Sequence, residues 1–302
     1  MRACDAPLPR PRLAEAVGSP AVDSDYSGPM SARRARSGSR APLSPLTGPV
    51  PADTGTASFD AVPGDPHAYV LTLNGVPSSP YRSDDPRVLD FEYLRWMAHL
   101  TASALPAGRS VRAVHIGGAA CALPRHLDAI RPGSRQTVVE VDAALADWVR
   151  ANLDLPRSPA LAIRAADGAQ EITRFRPNSI DLIVRDAFAG DTTPDALSSS
   201  AWFDGVHAAL GPHGAYIANV ADHADRTALR SEIEGLRTRF SHVLAVVDPT
   251  QFRRRRRGNV VVAAAHDPID ARAVESLVRG DGASVRSGVE LMSHLGPAHA
   301  RR

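Results

Sequence analysis

Between residues 108 and 265, short apolar runs alternate with segments of helix length, and this alternation constrains the chain more than any other feature. Runs dense in Val, Ile, Leu and Ala occur at 111–116, 136–141, 161–165, 179–185 and 215–220. Segments with helical spacing separate them, at 121–130, 143–152, 169–174 and 199–210. Strands joined through helices return by crossovers and lie parallel to one another. A further helix over 224–240 leads to two last runs, 242–247 and 259–265, with no helix expected between them. Those two are expected to form an antiparallel hairpin at the sheet edge. The pattern therefore predicts an α/β domain with a mostly parallel seven-stranded sheet.

Ligands of such sheets sit beyond the carboxyl ends of the strands, near the point where strand order reverses. The first strand runs into Gly117, Gly118, Ala119 and Ala120, small residues that let the backbone approach a nucleoside closely. The second runs into Glu140 and Asp142, about 20 residues further on, where a carboxylate can accept from ribose hydroxyls. The third ends at Asp167 and Gly168; this acid can accept from an adenine amine or cap the next helix. The fourth ends at Asp186, at the mouth of the site, with Asp191 and Asp195 on the following loop. Carboxylates there suit a cationic substrate and equally suit loop capping. Together these residues predict a Rossmann-like domain over 108–280 that binds an S-adenosyl nucleotide.

The flanks read differently. Residues 1–62 are rich in Pro, Ser, Arg, Gly and Ala without apolar periodicity, and are expected to be disordered. The basic stretch at 31–40 is expected to be solvated, and Met30 offers an internal start. A chain beginning near Ala61 is accordingly expected to melt like the full one. Residues 63–107 should hold a β-hairpin turning at Asn74-Gly75 and a helix over 89–104, capped by Asp84 or Asp85 ahead of Pro86. Residues 281–302 read as a loose tail.

Composition removes several function classes. The net charge of +2 argues against a dedicated nucleic-acid partner. All 35 basic residues are arginine, so lysine Schiff-base and lysine general-base chemistry are absent. Two cysteines, Cys4 and Cys121, make no disulfide framework, and the 11 histidines lack ligand spacing, so no metal is expected. No apolar run reaches the length of about 18 residues that a membrane helix needs, and no secretory h-region is evident. A cytoplasmic protein without a membrane partner is the expectation. The five arginines at 253–257 are expected to project into water from the last hairpin turn.

The order of these motifs, from about Tyr69 to Ala265, resembles the spermidine synthase family of polyamine aminopropyltransferases, particularly the spermidine synthase-like proteins of high-GC bacteria. The matching stretches are Pro80-Tyr81, Phe91-Glu92-Tyr93, His115-Ile116-Gly117-Gly118, Val139-Glu140-Val141-Asp142, Asp167-Gly168-Ala169 and Val184-Arg185-Asp186. Gly211-Pro212-His213-Gly214 resembles the family's turn before the fifth strand. The resemblance implies a class I S-adenosylmethionine-dependent methyltransferase fold preceded by a small β-hairpin region. It implies decarboxylated S-adenosylmethionine as co-substrate, held by Gly117, Gly118, Glu140, Asp142, Asp167 and Gly168. It places the proton acceptor at Asp186 and an amine substrate near Tyr93 and Asp191, and is compatible with a homodimer. Three family groups are replaced: an acid of the glycine loop by Ala120, a histidine by Leu94, and an acid of the loop after the fourth strand by Ala189. These losses keep two alternatives open. One is a methyltransferase using S-adenosylmethionine itself, the other a non-catalytic adenosyl-binding protein.

Overall fold

The computed structural model describes residues 47–223, 225–253 and 257–295. The tail ahead of residue 47 and the centre of the arginine run lie outside the described residues.

Four strands open the fold: β1 (Gly48–Val50), β2 (Ala57–Ala61), β3 (Ala68–Leu73) and β4 (Val76–Arg82), paired antiparallel in that order. Asn74 and Gly75 both take positive φ, 50° and 78°, the backbone twist that a two-residue hairpin turn requires. Strands β1 and β2 correct the expectation of disorder through residue 62. The β2 stretch Ala57–Ala61 carries only a short alternation, too brief to register as a pattern, but its Phe59 is fully buried and stacks on Tyr69 with ring centres 5.2 Å apart.

The chain then forms α1 (Glu92–Ala104), β5 (Arg112–Ile116), α2 (Ala122–Ile130), β6 (Arg135–Glu140), α3 (Ala143–Asn152), β7 (Leu161–Ala165), α4 (Gly168–Glu171) and β8 (Ile180–Arg185). It continues through α5 (Ser200–Ala209), β9 (Leu210–Asp222), α6 (Thr227–Arg237), β10 (His242–Val247) and α7 (Pro249–Arg253). The last elements are β11 (Gly258–Ala265), α8 (Ala271–Val278), β12 (Ser284–Ser287) and α9 (Gly288–Leu295). Helix α1 starts later than its apolar spacing suggests and has no side-chain cap. Asp84 and Asp85 bind Arg82 and Arg87 instead, at 3.0 and 2.8 Å.

The main sheet has eight strands in the order β12-β10-β11-β9-β8-β5-β6-β7, with β5 to β9 parallel. The eighth strand, β12, corrects the expected seven, and with α9 it corrects the expected loose tail from residue 281. It pairs with β10 from Leu244↔Ser287 to Val247↔Ser284, and Leu291 of α9 is fully buried. A four-residue polar stretch is invisible as a strand because the partner's edge, not its own apolar content, selects it. The β10–β11 hairpin therefore lies inside the sheet, with β11 between β10 and β9.

Both sheet faces are covered. On β11, Val261, Ala263 and Ala265 face the layer that includes α1 and α8, whereas Val260, Val262 and Ala264 face that of α5, α6 and α9. A third cluster joins the N-terminal sheet to the domain, bringing Phe59, Tyr69 and Tyr81 against Leu145, Val149 and Leu153. The Arg125 guanidinium lies 4.1 Å from the centre of the Tyr81 ring and donates to the Arg82 carbonyl at 2.8 Å. Among the described residues, no helix is long and apolar enough to cross a membrane.

Because the segment around β2 is packed, the structure reverses the expectation for a shortened chain. Removing residues 1–61 deletes Phe59, whose class of buried aromatic is worth about 3–5 kcal/mol. A thermal melt of that chain should fall by about 10 °C or more. An unchanged melting temperature would mean that these strands add nothing to the fold.

Candidate active site

Strand order reverses between β5 and β8, and the site is built where their carboxyl ends meet. Gly117 follows β5 with φ +78°, and its N–H donates to the Val139 carbonyl at 2.9 Å. A Cβ on Gly117 would lie 2.3 Å from the backbone oxygen of Asp186. One on Gly118 would lie 2.3 Å from Cγ1 of Val138. Only glycine lets this turn settle against both neighbouring strands. The Gly118 and Ala119 N–H groups donate to Oε2 of Glu140 at 3.1 and 3.3 Å, so the acid after β6 also shapes the turn. Burial pushes the Cys121 thiol up to about 12, which makes it a packing residue at physiological pH.

Asp167 is exposed and caps α4, its Oδ1 accepting from Ala169 and Gln170 N–H groups at 2.7 and 3.3 Å. Gly168 allows close packing on β5, since a Cβ there would meet Ile116 Cγ2 at 2.4 Å. Asp142 has a different task from the cofactor contact expected of it. Its buried carboxylate accepts from the Asp53 and Thr54 N–H groups, from the Thr54 hydroxyl at 2.7 Å and from Leu145 N–H at 2.9 Å. It caps α3 and ties the N-terminal strands to the domain, which leaves no lone pair directed at a ligand.

Asp186 is half-buried after β8, and its N–H donates to the Ile116 carbonyl at 2.9 Å, extending the β5–β8 ladder. Its Oδ1 accepts from Asn219 Nδ2 at 3.0 Å, and the Tyr93 hydroxyl, 3.4 Å from the Ser78 carbonyl to which it donates, also faces the carboxylate and lowers its pKa. Burial pushes the carboxyl up to about 6, outweighing the donors Asn219 and Tyr93 and the charge of Arg185. Burial also holds the Tyr93 phenol well above its usual range, so it stays a donor. Asn219 carries no motif signal. Its clue was register: β9 pairs Ala218 with Arg185, which sets Asn219 beside Asp186. The other carbonyl-like atom of the pair, Oδ1 of Asn219, is buried without a partner.

The strand end that carries Asp186 is anchored from below. The guanidinium of Arg185, fully buried, pairs with Glu232 at 3.0 Å and donates to the Leu197 carbonyl at 2.6 Å. Tyr216 donates to Glu232 at 3.1 Å, and Trp202 donates to Tyr216 at 3.2 Å. His115 is also structural: its Nε2 lies 2.9 Å from the Gln136 side-chain oxygen, and burial lowers it to about 4, keeping it neutral.

The loop after β8 departs from expectation. Asp191 is not an open carboxylate, because the Arg257 guanidinium pairs with it. Arg257 thus turns inward where the whole run was expected to face water; β11 begins one residue later and fixes its direction. Ala120 and Leu94, which stand where the family carries polar groups, are buried in apolar clusters, and Ala189 is exposed. Among the described residues, no group of three His, Cys, Asp or Glu side chains could hold a metal ion.

An open sheet of this strand order, with a glycine turn after its first parallel strand and an acid after the second, has the class I S-adenosylmethionine-dependent methyltransferase fold. The structure is similar to the crystal structure of a probable spermidine synthase from Corynebacterium glutamicum, with a TM-score of 0.79 and 32% identity, over 84% of this chain and 95% of that one. The chain is also 32% identical over 139 residues to a polyamine aminopropyltransferase of Neisseria meningitidis serogroup A, which is 45% of this chain and 51% of that protein. The chain spans about half the length of the curated relatives it matches. A spermidine synthase in complex with the transition state analogue AdoDATO shares the fold, with a TM-score of 0.57 and 18% identity over 74% of each chain. No protein-family model matches the chain. The chain belongs to the spermidine synthase family.

The Gly117 turn gives a sharp test of this geometry. Gly117→Ala introduces a methyl group against a backbone oxygen at a positive φ, and should destabilise the protein by about 2–4 kcal/mol. A urea midpoint unchanged from wild type would show that the turn does not press on Asp186.

Proposed function

We propose that the protein transfers an aminopropyl group from decarboxylated S-adenosylmethionine to an amine. The observation that carries this reading is Asp186. It is a carboxyl raised to about 6, set at the strand switch beside Tyr93 and Asn219 and against the glycine turn. Gly117 and Gly118 give the nucleoside close backbone approach, Glu140 accepts from its ribose hydroxyls, and Asp167 with Gly168 borders the adenine. Asp142 supports this set through α3.

An alkylammonium with pKa near ~10 is mostly protonated at neutral pH and has no lone pair for attack. Asp186 holds that ammonium by charge and accepts its proton, and Tyr93 and Asn219 keep the carboxylate oriented. The freed nitrogen then bonds to the methylene next to sulfur. The carbon–sulfur bond breaks with its electron pair passing to sulfur, so the sulfonium becomes a neutral thioether. Alignment in the cleft supplies much of the rate.

A second reading, methyl transfer from S-adenosylmethionine, draws support from Ala120. Its side chain is fully buried among apolar groups, so the glycine turn has no acid at this position to repel the carboxylate that S-adenosylmethionine keeps and its decarboxylated form lacks.

Glu140→Ala should weaken calorimetric binding of methylthioadenosine by about 1.5–3 kcal/mol, the scale of charge-assisted hydrogen bonds. Unchanged affinity in a folded variant removes the nucleoside from this strand end.

Asp186→Asn should lower turnover of amines by about 10²–10⁴-fold while methylthioadenosine binds almost as before. In the wild type, kcat/KM should fall as pH drops through about 6, because protonated Asp186 cannot accept a further proton. A variant as active as wild type would dismiss Asp186 as the base. Methyl transfer without aminopropyl transfer would select the second reading. Transfer of neither group to any amine would replace both with an adenosyl-binding protein.

A further inference from the structure

Strand β8 delivers two ionisable side chains that are neighbours in sequence and lie on opposite faces of the sheet. Asp186 continues the face of Leu182 and Val184, in the layer of α1, where Tyr93 and Asn219 meet it. Arg185 shares the face of Ile183, in the layer of α5 and α6, where Glu232 pairs with it at 3.0 Å. Both members of this pair are fully buried, and the Tyr216 hydroxyl donates to Glu232 at 3.1 Å. Among the described residues, the titratable groups acting on Asp186 are Tyr93 from α1 and Arg185 from its own strand. Those acting on Arg185 are Glu232 from α6, Tyr216 from β9 and Asp186 itself.

A buried ion pair is weak evidence of stability, because desolvating two charges offsets most of their attraction. The place of this one gives it another consequence, since an arginine one residue from an aspartate is a ready counter-ion for it. A guanidinium has five N–H donors. Arg185 spends Nη1 on the Leu197 carbonyl at 2.6 Å, and Nη2 on Glu232 and, at 3.5 Å, on the Asn219 carbonyl. Its Nε is buried without a partner, so one donor is still unsatisfied and a second carboxylate would be taken up. Yet among the described residues Asp186 has no ion-pair partner. Glu232 draws the guanidinium to the far face and cancels its charge there. What is left on the α1 face is a carboxylate between two neutral groups, and such a carboxylate is what an incoming ammonium needs.

We propose that Glu232 is a positioning residue for amine transfer: by holding Arg185 on the α6 face and neutralising it, Glu232 keeps Asp186 free of a counter-ion and open to the substrate ammonium. This rests on the amine-transfer reading above and adds a residue to it from the far side of the sheet.

The test uses two full-length variants. Glu232→Gln keeps the shape and removes one charge; Arg185→Met/Glu232→Gln removes both, a change that buried pairs tolerate. The Asp186 carboxyl is titrated by NMR on protein with isotope-labelled aspartate, its signal identified by loss in Asp186→Asn, and this readout needs no turnover. In wild type the midpoint should lie at about 6. In Glu232→Gln the unopposed guanidinium favours the charged carboxylate, so the midpoint should fall by about one pH unit or more, and the acidic limb of kcat/KM with it. KM for the amine should rise about tenfold, because the ammonium then competes with Arg185, while kcat changes less. In the double variant the midpoint should return to within about 0.5 pH unit of wild type. Loosening of the fold would admit water and lower the midpoint in both variants, so recovery in the double one separates charge from damage. A wild-type midpoint in Glu232→Gln, or a double variant outside that range, overturns the inference while leaving amine transfer intact. Should Glu232→Gln not fold, the double variant decides by the same range. Absence of turnover with every amine counts against the transfer, and the NMR midpoints then decide this inference separately.

Discussion

Everything in this site depends on how closely β5 and β8 approach at their carboxyl ends. The backbone of Gly117 presses on that of Asp186 so tightly that a single methyl group would intrude. The same turn bonds backward to β6 through Val139 and sideways to Glu140. Three strand ends are thereby drawn to one point: the glycine turn after β5, the Glu140 carboxylate after β6, and the Asp186 carboxyl, raised to about 6, after β8. The parallel sheet supplies the reversal of strand order, but glycine determines how narrow the seam becomes.

The buried charges beneath this seam serve position more than stability. Taking Arg185 and Glu232 out of water costs several kcal/mol per ion, and their attraction offsets that only because Tyr216 and the Leu197 carbonyl occupy further bonding positions. An apolar pair of similar volume would hold the sheet together as well. It would not define the direction of the β8 end or the start of the following loop, and those decide where Asp186 points. Removing one member alone would leave an unpaired buried charge, the most damaging change available at this place.

Much of this was legible in the chain itself. The strand–helix alternation reports β5, β8 and β9 because their central residues are buried on both sheet faces and are mostly apolar, and Asn74-Gly75 reports its hairpin through backbone geometry alone. The glycine turn, Glu140 and Asp186 are readable because strand ends follow from strand positions. Strands β1, β2 and β12 were not readable, since their pairing depends on edges formed elsewhere in the sequence. Asp142 was misread for a related reason. Its partners, Asp53 and Thr54, lie in a segment without local pattern, so a structural acid and a ligand-binding acid look the same. Asp191 looked open because Arg257 is distant in sequence, and Asn219 had no motif because its meaning is its register against Arg185.

The Asp142 contact also ties the amino-terminal strands to the mechanics of the glycine turn. From the Asp53 N–H, 89 residues away in sequence, bonds run to the Asp142 carboxylate. They continue from the Asp142 N–H to Oε1 of Glu140 at 3.2 Å, and from Oε2 of that residue to the Gly118 turn. Coupling through such a chain is reciprocal: what stiffens the turn stiffens the strands, and loosening the strands loosens the turn by the same free energy. A spectroscopic label placed beside Thr54 would therefore report on a turn it never touches. Strain applied close to β1 would reach the turn by the same route, so the stiffness of this strand seam is set in part at the far edge of the molecule.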